Sequence, residues 1–391
     1  MKLEEQNGIV TISPEGRINT SNAPELEKEF LEAADRYAGM EFVIDAKDLV
    51  YISSSGLRIL MKMRSKEIAS LRIINVSRDV YDIFETTGFT EIFDVRKAYR
   101  KISVDGLDVL GVGFYGTVYR LDAENIVKVY KGKDSIPMIE NEKKMAKKAF
   151  LCGIPTAISY DIVQVGEDYG SVFELLNAKN FNDLVVEKEM PFDQIITKFT
   201  DLLKLMHQTE VEPGTFPSYR EKFLEHLNTI RKYLPEETFR KVKKLLADVP
   251  EGNTVVHGDV QMRNVMMVGD EAMLIDMDTL GQGDPIYEWA GLYMAYQKFK
   301  EDDPGNSKQF FGFDDETADD IWNRVFVSYF SSEDEEKRKE TLEKIRLAAA
   351  VRFMFILEIT DLKNGELGAL RLKHNREEIE ELADKVKSLK L

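Results

Sequence analysis

The sequence is poor in the residues that build disulfides and many metal sites, with one cysteine and four histidines among 391 residues. A single cysteine, Cys152, excludes a disulfide framework and a cysteine-based zinc site within one chain, and it favours a reducing compartment. No stretch approaches the ~20 uncharged apolar residues of a membrane helix, and the first residues lack the apolar segment of a signal peptide. We therefore expect a cytoplasmic protein without membrane contacts.

Basic residues are also fewer than acidic residues. Lys and Arg number 53 against 70 Asp and Glu, which gives a formal net charge of −17. A field of this sign repels nucleic acid backbones, so no nucleic acid partner is expected. Hydrophobic residues make up 43% of the chain, enough to build buried cores. The length favours two or three domains.

The first hundred residues alternate short apolar strands with short amphipathic helices. Strands are predicted at 8–13, 41–46 and 71–76, and a helix is predicted at 80–86. A further helix is expected to follow Asn22, which has the character of an N-terminal cap. This rhythm predicts a small α/β domain.

The alternation of strands and helices ends near residues 96–108, where charged residues precede a predicted hairpin that contains several glycines. We place a domain boundary there. Strands dominate from about 107 to 176, with one helix near 139–151. The remainder is helical in pattern. Within it, 347–359 is apolar enough for a buried helix, and 377–391 is predicted to be an exposed amphipathic helix.

A run of serines, Ser53-Ser54-Ser55-Gly56, separates a predicted strand from a predicted helix. One interpretation is helix capping alone, because serine is a favoured N-cap residue. The other is a phosphorylation switch, because a helix N-terminus tolerates phosphate while about two added negative charges transform a neighbouring partner surface. Ile59 and Met63 lie off the predicted apolar face of Leu57, Leu60 and Met61. They either form part of a partner surface or pack beneath neighbouring loops.

Strand, helix and serine turn together resemble the STAS domain of bacterial anti-sigma factor antagonists over about 100 residues. In that family the turn usually reads Asp-Ser-Ser/Thr-Gly-Leu, and the serine after the aspartate receives phosphate from a partner kinase. The resemblance implies that Ser54 is the phosphosite and that an anti-sigma factor-type protein is a partner. Ser53 departs from the pattern, since the family generally has aspartate there.

Four elements with the chemistry of phosphate transfer follow in the second part of the chain. In chain order they are Gly111-Val112-Gly113-Phe114-Tyr115-Gly116, Ile126-Val127-Lys128-Val129-Tyr130, His257-Gly258-Asp259-Val260-Gln261-Met262-Arg263-Asn264 and Leu274-Ile275-Asp276-Met277-Asp278. Strand-like residues flank the glycines on both sides, which favours a hairpin over nucleotide phosphates rather than a dinucleotide-binding turn.

Each of the other three elements offers one kind of side chain that phosphoryl transfer needs. A lysine within an apolar strand requires an anion, and a glutamate on the next helix, Glu142 or alternatively Glu140, would hold Lys128 in position. The third element supplies an aspartate for a hydroxyl proton and, five residues on, an asparagine for Mg²⁺. The fourth places an aspartate at a strand end, where it can bind the same metal. Together and in this order, the elements predict a nucleotide-dependent phosphotransferase.

The series resembles the aminoglycoside phosphotransferase and choline kinase group, the small-molecule branch of the protein-kinase-like fold. Gly258 stands where protein kinases usually have arginine, and Asp276-Met277-Asp278 replaces Asp-Phe-Gly. The resemblance assigns a catalytic base, Asp259; two Mg²⁺ ligands, Asn264 and Asp276; a lysine on the α- and β-phosphates of ATP, Lys128; and the glutamate that orients it, Glu142.

The same resemblance assigns Gly111, Gly113 and Gly116 to the phosphates. The carbonyl of Glu174 and the amide of Leu176 are assigned to the adenine. It also implies that Asp284 bonds the backbone of the catalytic loop. Arg263 is either a source of positive charge near the γ-phosphate or a surface residue. Aromatic residues of the helical part either line an acceptor pocket or form core. They are Trp322, Tyr329, Phe330, Phe353 and Phe355.

These observations predict an α/β STAS-like domain over 1–102, with a mixed sheet and helices. It is followed over 103–391 by an α+β bilobal protein-kinase-like fold, with a small lobe at about 107–177 and a helical large lobe at about 178–391. The expected activity is ATP- and Mg²⁺-dependent phosphorylation of a hydroxyl on a small molecule or a protein serine. The alternative is a nucleotide-sensing anti-sigma factor antagonist that acts by protein binding without turnover.

Overall fold

The computed structural model describes residues 1–113, 116–132, 135–176 and 178–391. Within these ranges the chain folds as two compact units, Met1–Ser103 and Val104–Leu391. No helix in the described ranges has both the length and the apolar character that crossing a bilayer requires.

The first unit is an α/β layer structure built on one mixed sheet. Its elements are β1 (Lys2–Gln6), β2 (Ile9–Ser13), β3 (Gly16–Ile18), α1 (Ala23–Arg36), β4 (Glu41–Asp45), β5 (Leu49–Ile52), α2 (Ser54–Arg64), β6 (Ser70–Val76), α3 (Arg78–Thr86), β7 (Asp94–Lys97) and β8 (Arg100–Ile102). The sheet order is β1-β2-β4-β6-β7, antiparallel between β1 and β2 and parallel elsewhere. The α/β class expected for this unit is confirmed.

The buried face of α2 is displaced from the face of Leu57, Leu60 and Met61 that its sequence suggested. Ile59 and Met63 are 1% and 0% exposed and belong to the core, whereas Met61 is 40% exposed. The partner-surface interpretation of Ile59 and Met63 is therefore wrong, because these side chains pack inside the unit. The side chain of Asn22 does not cap α1 either, since its Oδ1 accepts a hydrogen bond from the Asn19 amide.

The second unit begins with an antiparallel sheet and one helix. These elements are β9 (Val109–Val112), β10 (Gly116–Arg120), β11 (Asn125–Tyr130), α4 (Ile136–Leu151), β12 (Asp161–Val165) and β13 (Asp168–Glu174). Neighbouring strands pair in the order β12-β13-β11-β10-β9. The central position of β11 buries Val127, which is 0% exposed, while Lys128 on the other face points toward α4.

The rest of the second unit is mainly helical, as expected for a kinase-like large lobe. Its elements are β14 (Lys179–Asn180), α5 (Phe181–Glu187), α6 (Phe192–Gln208), α7 (Tyr219–Ile230), α8 (Glu236–Ala247), β15 (Val255–Val256), β16 (Val265–Val268), β17 (Glu271–Leu274), β18 (Gly281–Gln282), α9 (Ile286–Tyr293), a π-helical turn (Met294–Lys298), α10 (Phe299–Glu301), α11 (Asn306–Phe311), α12 (Asp315–Tyr329), α13 (Glu335–Ile359) and α14 (Gly365–Lys385).

Packing corrects one prediction for this part and decides another. The last segment is not an exposed helix, because Ile379 and Leu382 of α14 are 0% and 1% exposed in the main core. Of the two interpretations of the aromatic residues, the structure supports core, since Trp322, Phe330 and Phe353 are 6%, 7% and 0% exposed. The Trp289 ring lies 5.6 Å edge-on from Trp322 and 5.0 Å from Phe330, and such packing stabilises the lobe.

Backbone hydrogen bonds join the two lobes beside the end of β17. The amide of Leu274 donates to the Pro155 carbonyl at 2.9 Å, and the Leu274 carbonyl accepts from the Ala157 amide at 3.2 Å. The Thr156 hydroxyl donates to the same carbonyl at 3.1 Å. The segment 155–157 after α4 is therefore fixed to the strand that leads into Asp276.

Gly56 tests the packing of the serine turn. A Cβ at this position would lie 2.6 Å from Cγ1 of Ile52 and 2.7 Å from Cγ2 of Ile18. We expect Gly56→Ala to lower the free energy of unfolding by about 1–2 kcal/mol, because overpacking costs more than the gain in helix propensity. Urea unfolding checks this. Gly111→Ala is the control, since nothing lies within 4 Å of its Cβ position, and equal losses in both variants would contradict the prediction.

Candidate active site

Lys128 and Tyr130 lie two residues apart on β11, so both side chains point to the same face of the sheet. That face meets α4, where Glu142 is 5% exposed. Glu142 Oε1 lies 3.4 Å from Lys128 Nζ, and Glu142 Oε2 accepts a hydrogen bond from the Tyr130 hydroxyl. The alternative, Glu140, is exposed on α4. The structure thus brings Glu142, and not Glu140, to Lys128.

Asp276 forms a second ion pair with Lys128, across 148 residues of sequence. Burial by itself would lower the pKa of Lys128, but the carboxylates of Asp276 and Glu142 reverse this effect and raise it above 10.5. Burial also raises the pKa of Glu142, against the opposing effect of the Lys128 charge. The ammonium of Lys128 is therefore held charged between two carboxylates that enter from different elements.

The loop after β15 brings Asp259 and Asn264 together. A short 3₁₀ turn, Met262–Asn264, folds the loop back, so that Asn264 Nδ2 donates to Asp259 Oδ2 at 3.1 Å and to the Asp259 carbonyl at 2.9 Å. The amide of Ile275 donates to the Asn264 carbonyl at 3.0 Å, which sets Asp276 beside this loop. Three of the predicted residues are thereby adjacent in space.

His257 joins the two loops. Its Nε2 lies 3.1 Å from the Ile275 carbonyl and its Nδ1 lies 3.3 Å from the Asp259 amide. Burial lowers the pKa of His257 to about 4, so the neutral ring donates from Nε2 and accepts at Nδ1. Asp276 itself has a left-handed backbone, with φ 60°, a conformation that Asp tolerates better than most residues.

Asp259 has a raised proton affinity. Burial raises its pKa to about 6, and the nearby charge of Asp276 acts in the same direction. The charge of Arg352 and hydrogen bonds from Asn264 and Gln261 lower it. A carboxyl with a pKa near 6 can accept a proton near neutral pH more readily than an ordinary aspartate.

Glu288, on α9, holds the backbone of this loop and was missed at the level of sequence. Its side chain is fully buried, and its carboxylate accepts from the amides of His257 at 2.5 Å, Gly258 at 2.9 Å and Val260 at 3.4 Å. Burial raises the pKa of Glu288 to about 7, although these three amides oppose the shift. The sequence signal for this role was a single glutamate among the apolar residues of this segment, Ile286-Tyr287-Glu288-Trp289-Ala290.

The role predicted for Asp284 is therefore wrong. Its Oδ1 accepts from the Ile286 amide at 2.9 Å and from the Leu391 amide at 3.3 Å, so it bonds the first residue of α9 and the end of the chain, and not the loop that carries Asp259. The carboxylate that reaches the loop belongs to Glu288, one helical turn later. Position along α9 decides this, because only the later residue faces Gly258.

Gly258 permits the path of the loop. Its φ is 83°, and a Cβ at this position would lie 1.4 Å from the Tyr219 hydroxyl. That hydroxyl donates to the Thr279 carbonyl at 2.7 Å. Any side chain at position 258 would displace Tyr219 and the turn after Asp276.

The glycine hairpin is described in part. Gly111 and Gly113 lie on and just after β9, and Gly116 begins β10 at a point where a Cβ would lie 2.2 Å from the Val129 carbonyl. The close approach of Gly116 is thus to the neighbouring strand. The residues between, Phe114 and Tyr115, lie outside the described residues.

The remaining predicted positions occupy separate places. Glu174 ends β13 and is exposed, and Leu176 follows it in the connection to the large lobe. Arg263 is exposed, and its Nη1 donates to the Phe310 carbonyl at 2.8 Å, so it is engaged with the helical lobe.

In the first unit, Ser54 is exposed as the first residue of α2. The preceding Ser53 is the actual N-cap, with its Oγ accepting from the Gly56 amide at 3.4 Å. Arg58 Nε donates to the Ser54 carbonyl at 3.3 Å. The Ser54 hydroxyl is accordingly the one that faces solvent, while its neighbour satisfies the helix end.

The donor set suits a hard divalent cation and a polyphosphate. The amide oxygen of Asn264 and the carboxylate of Asp276 are oxygen ligands of the kind that Mg²⁺ prefers. Lys128 Nζ already pairs with Asp276, which shows that positive charge is stabilised at this carboxylate. Lys128 is the cation that a phosphate requires.

The chain matches two families over adjacent ranges. The STAS domain covers residues 1–102, and the phosphotransferase enzyme family, APH, covers residues 107–319. The anti-sigma-B factor antagonist of Bacillus subtilis (strain 168) is 27% identical over 96 residues, which are 24% of this chain and 86% of that protein.

Solved structures that match the chain include two complexes of aminoglycoside phosphotransferases. An ADP-bound aminoglycoside phosphotransferase, APH(2'')-Ib, has a TM-score of 0.44 and 13% identity, with 77% of this chain and 96% of that chain covered. A ternary complex of streptomycin, ATP and APH(2'')-IIa has a TM-score of 0.45 and 15% identity, with 70% and 93% covered. With an APH match over more than half its length, the chain belongs to the phosphotransferase enzyme family, and it carries a STAS domain at its N-terminus.

Proposed function

We propose that the second unit is an ATP- and Mg²⁺-dependent kinase that transfers the γ-phosphoryl group to a hydroxyl. The observation that carries this proposal is the convergence of Lys128, Asp259 and Asp276 from elements far apart in sequence. Ion pairs alone also occur in structural networks, but a lysine, a base and two metal-type oxygen donors brought to one place match the requirements of phosphoryl transfer.

Each residue of the candidate site has a defined task in this proposal. Asp259 accepts the proton of the acceptor hydroxyl, and its raised pKa suits that task near neutral pH. Asn264 fixes the Asp259 carboxylate through its amide hydrogen. Glu142 and Tyr130 keep Lys128 directed at the α- and β-phosphates. Positioning and charge stabilisation account for most catalysis of this type.

Asn264 and Asp276 would hold Mg²⁺, whose charge neutralises the phosphate oxygens when it is bound. The backbone of Gly111, Gly113 and Gly116 would cover the phosphates. The carbonyl of Glu174 and the amide of Leu176 would bind the adenine. The oxygen chemistry of the metal donors and the paired ammonium of Lys128 support this assignment.

For the STAS domain we propose a partner switch with Ser54 as the phosphosite and an anti-sigma factor-type protein as partner. The exposure of the Ser54 hydroxyl supports this, because Ser53 already caps α2 and leaves its neighbour available. Fusion of a switch and a kinase in one chain raises their effective concentration, so Ser54 is itself a candidate acceptor. The rival function is nucleotide sensing without turnover.

Asp259→Asn tests the assignment of Asp259 as the base. Incubation of the full chain with ATP and Mg²⁺ should release ADP or add phosphate in the wild type, and the variant should lose at least about 10²-fold in rate because its amide cannot accept the proton. Intact mass and peptide mapping identify any phosphate on Ser54. Nucleotide binding without turnover in the wild type would favour the sensing function. Full turnover in the variant would contradict the assignment of Asp259.

Lys128→Met should raise the KM or Kd for ATP by about 10-fold or more, because one charge-assisted contact to phosphate is worth roughly 1.5–3 kcal/mol. The matched control is Lys131→Met, which removes an exposed lysine three residues later. Titration of ATP with Mg²⁺ by calorimetry measures both. Equal affinity in the two variants would contradict the assignment of Lys128.

The raised pKa of Asp259 predicts a pH-dependent effect on stability. Its folded pKa of about 6 exceeds the ordinary value of 3.8, so folding favours the protonated acid, and ionisation costs stability as pH rises through 6. Asp259→Asn resembles the protonated form and should be about 1–3 kcal/mol more stable than wild type at pH 8.

Thermal unfolding at pH 8 and pH 4 measures this effect. The gain in unfolding midpoint should nearly disappear at pH 4, where both proteins are uncharged at position 259 in the folded state. Asp248→Asn, at an exposed position after α8, is the control and should show no such gain. A midpoint for Asp259→Asn below that of wild type at pH 8 would contradict the prediction.

A further inference from the structure

Arg352 lies on α13, beyond the range that matches the APH family. It is 8% exposed, and its neighbours on the helix, Ala348, Ala349 and Ala350, are 0–1% exposed. Their small side chains allow α13 to pack closely against the rest of the lobe. A long cationic side chain is thereby buried in the interior of the large lobe.

The guanidinium contacts the peptide that precedes the candidate base. Arg352 Nη2 donates to the carbonyl of Gly258, whose amide donates to Glu288 at 2.9 Å. The Gly258 residue is thus held on one side by a cation from α13 and on the other by a carboxylate from α9. Asp259 follows directly.

Space for the guanidinium is provided by α9. A Cβ at Gly291 would lie 2.8 Å from Arg352 Nη1 and 3.3 Å from the Gly258 carbonyl oxygen. The guanidinium therefore lies between the catalytic loop and α9, with no room for a larger residue at Gly291.

Hydrogen bonding alone does not account for an arginine at this position. Its Nη1 is inaccessible to solvent and has no hydrogen-bond partner in the described part of the chain. An unpaired buried donor and a buried charge both cost free energy, and an apolar residue of similar size would avoid both costs. What an apolar residue cannot supply is positive charge beneath the loop.

We propose that Arg352 is a positioning residue for Asp259, which fixes the Gly258 carbonyl from α13 and places positive charge under the loop that carries the base. The inference rests on the proposed function, in which Asp259 accepts the hydroxyl proton. It assigns to the C-terminal helices a direct part in the geometry of the catalytic loop.

The test compares Arg352→Met, which removes the charge and keeps an unbranched apolar chain, with Arg352→Lys, which keeps the charge. ADP formation from ATP and Mg²⁺ is measured at pH 8. For Arg352→Met we expect kcat to fall about 10-fold or more and the KM for ATP to stay within about twofold. Arg352→Lys, which can still donate to the Gly258 carbonyl, should recover most of the wild-type kcat.

Arg346→Met is the matched control. Arg346 lies on the same helix and pairs with Glu378 at 2.7 Å, away from the catalytic loop. Its kcat and its KM for ATP should equal those of wild type. A folded Arg352→Met variant with the wild-type kcat would overturn the proposal.

A second measurement needs no turnover. Thermal unfolding midpoints at pH 8 are compared for wild type, Arg352→Met, Asp259→Asn and the double variant. The loss caused by Arg352→Met should be smaller with Asn at position 259, because the guanidinium then has no carboxylate charge to stabilise. Additive losses would overturn the proposal. Full turnover by Asp259→Asn would instead overturn the proposed function, so the two failures are distinguishable.

Discussion

The candidate active site depends on a buried carboxylate bonded to backbone amides. Glu288 is fully buried and accepts from the amides of His257, Gly258 and Val260. A carboxylate removed from water is costly unless its oxygens are bonded, and three amides that point to one place can bond it. The amides of the loop need acceptors and the carboxylate of Glu288 needs donors. The hydrogen bonds between them therefore fix the loop, although these residues belong to no helix or strand.

From this fixed loop the other contacts follow in order. A short turn that ends at Asn264 brings this residue to Asp259, and the backbone bond from Ile275 to Asn264 sets the next strand end beside them. Asp276 then reaches Lys128, whose other side meets Glu142 on α4. Backbone hydrogen bonds thus hold the loop and the strand end in place, and ion pairs connect them to Lys128 and α4.

Spacing in the sequence was sufficient to predict groups that lie together along one loop or through unlike charges. Asp259 and Asn264 share a loop, and Lys128 within an apolar strand required a carboxylate. Glu288 was not predictable in this way, because its partners are backbone amides, which leave no side-chain pattern. The sequence left open whether Ile59 and Met63 are buried for a related reason: the buried face of a helix is decided by its neighbours in space as well as by its own periodicity.

The bonds between segment 155–157 and Leu274 have a consequence for motion within the second unit. They tie the small lobe to the large lobe at the strand end next to Asp276. Rotation of one lobe against the other would therefore pivot at this point, since moving it would break several backbone bonds at once. Displacement grows with distance from the axis of a rotation, so strands β9 and β10 would move far while Asp276 stays nearly still. The candidate metal ligand would therefore lie beside the axis about which the lobes rotate.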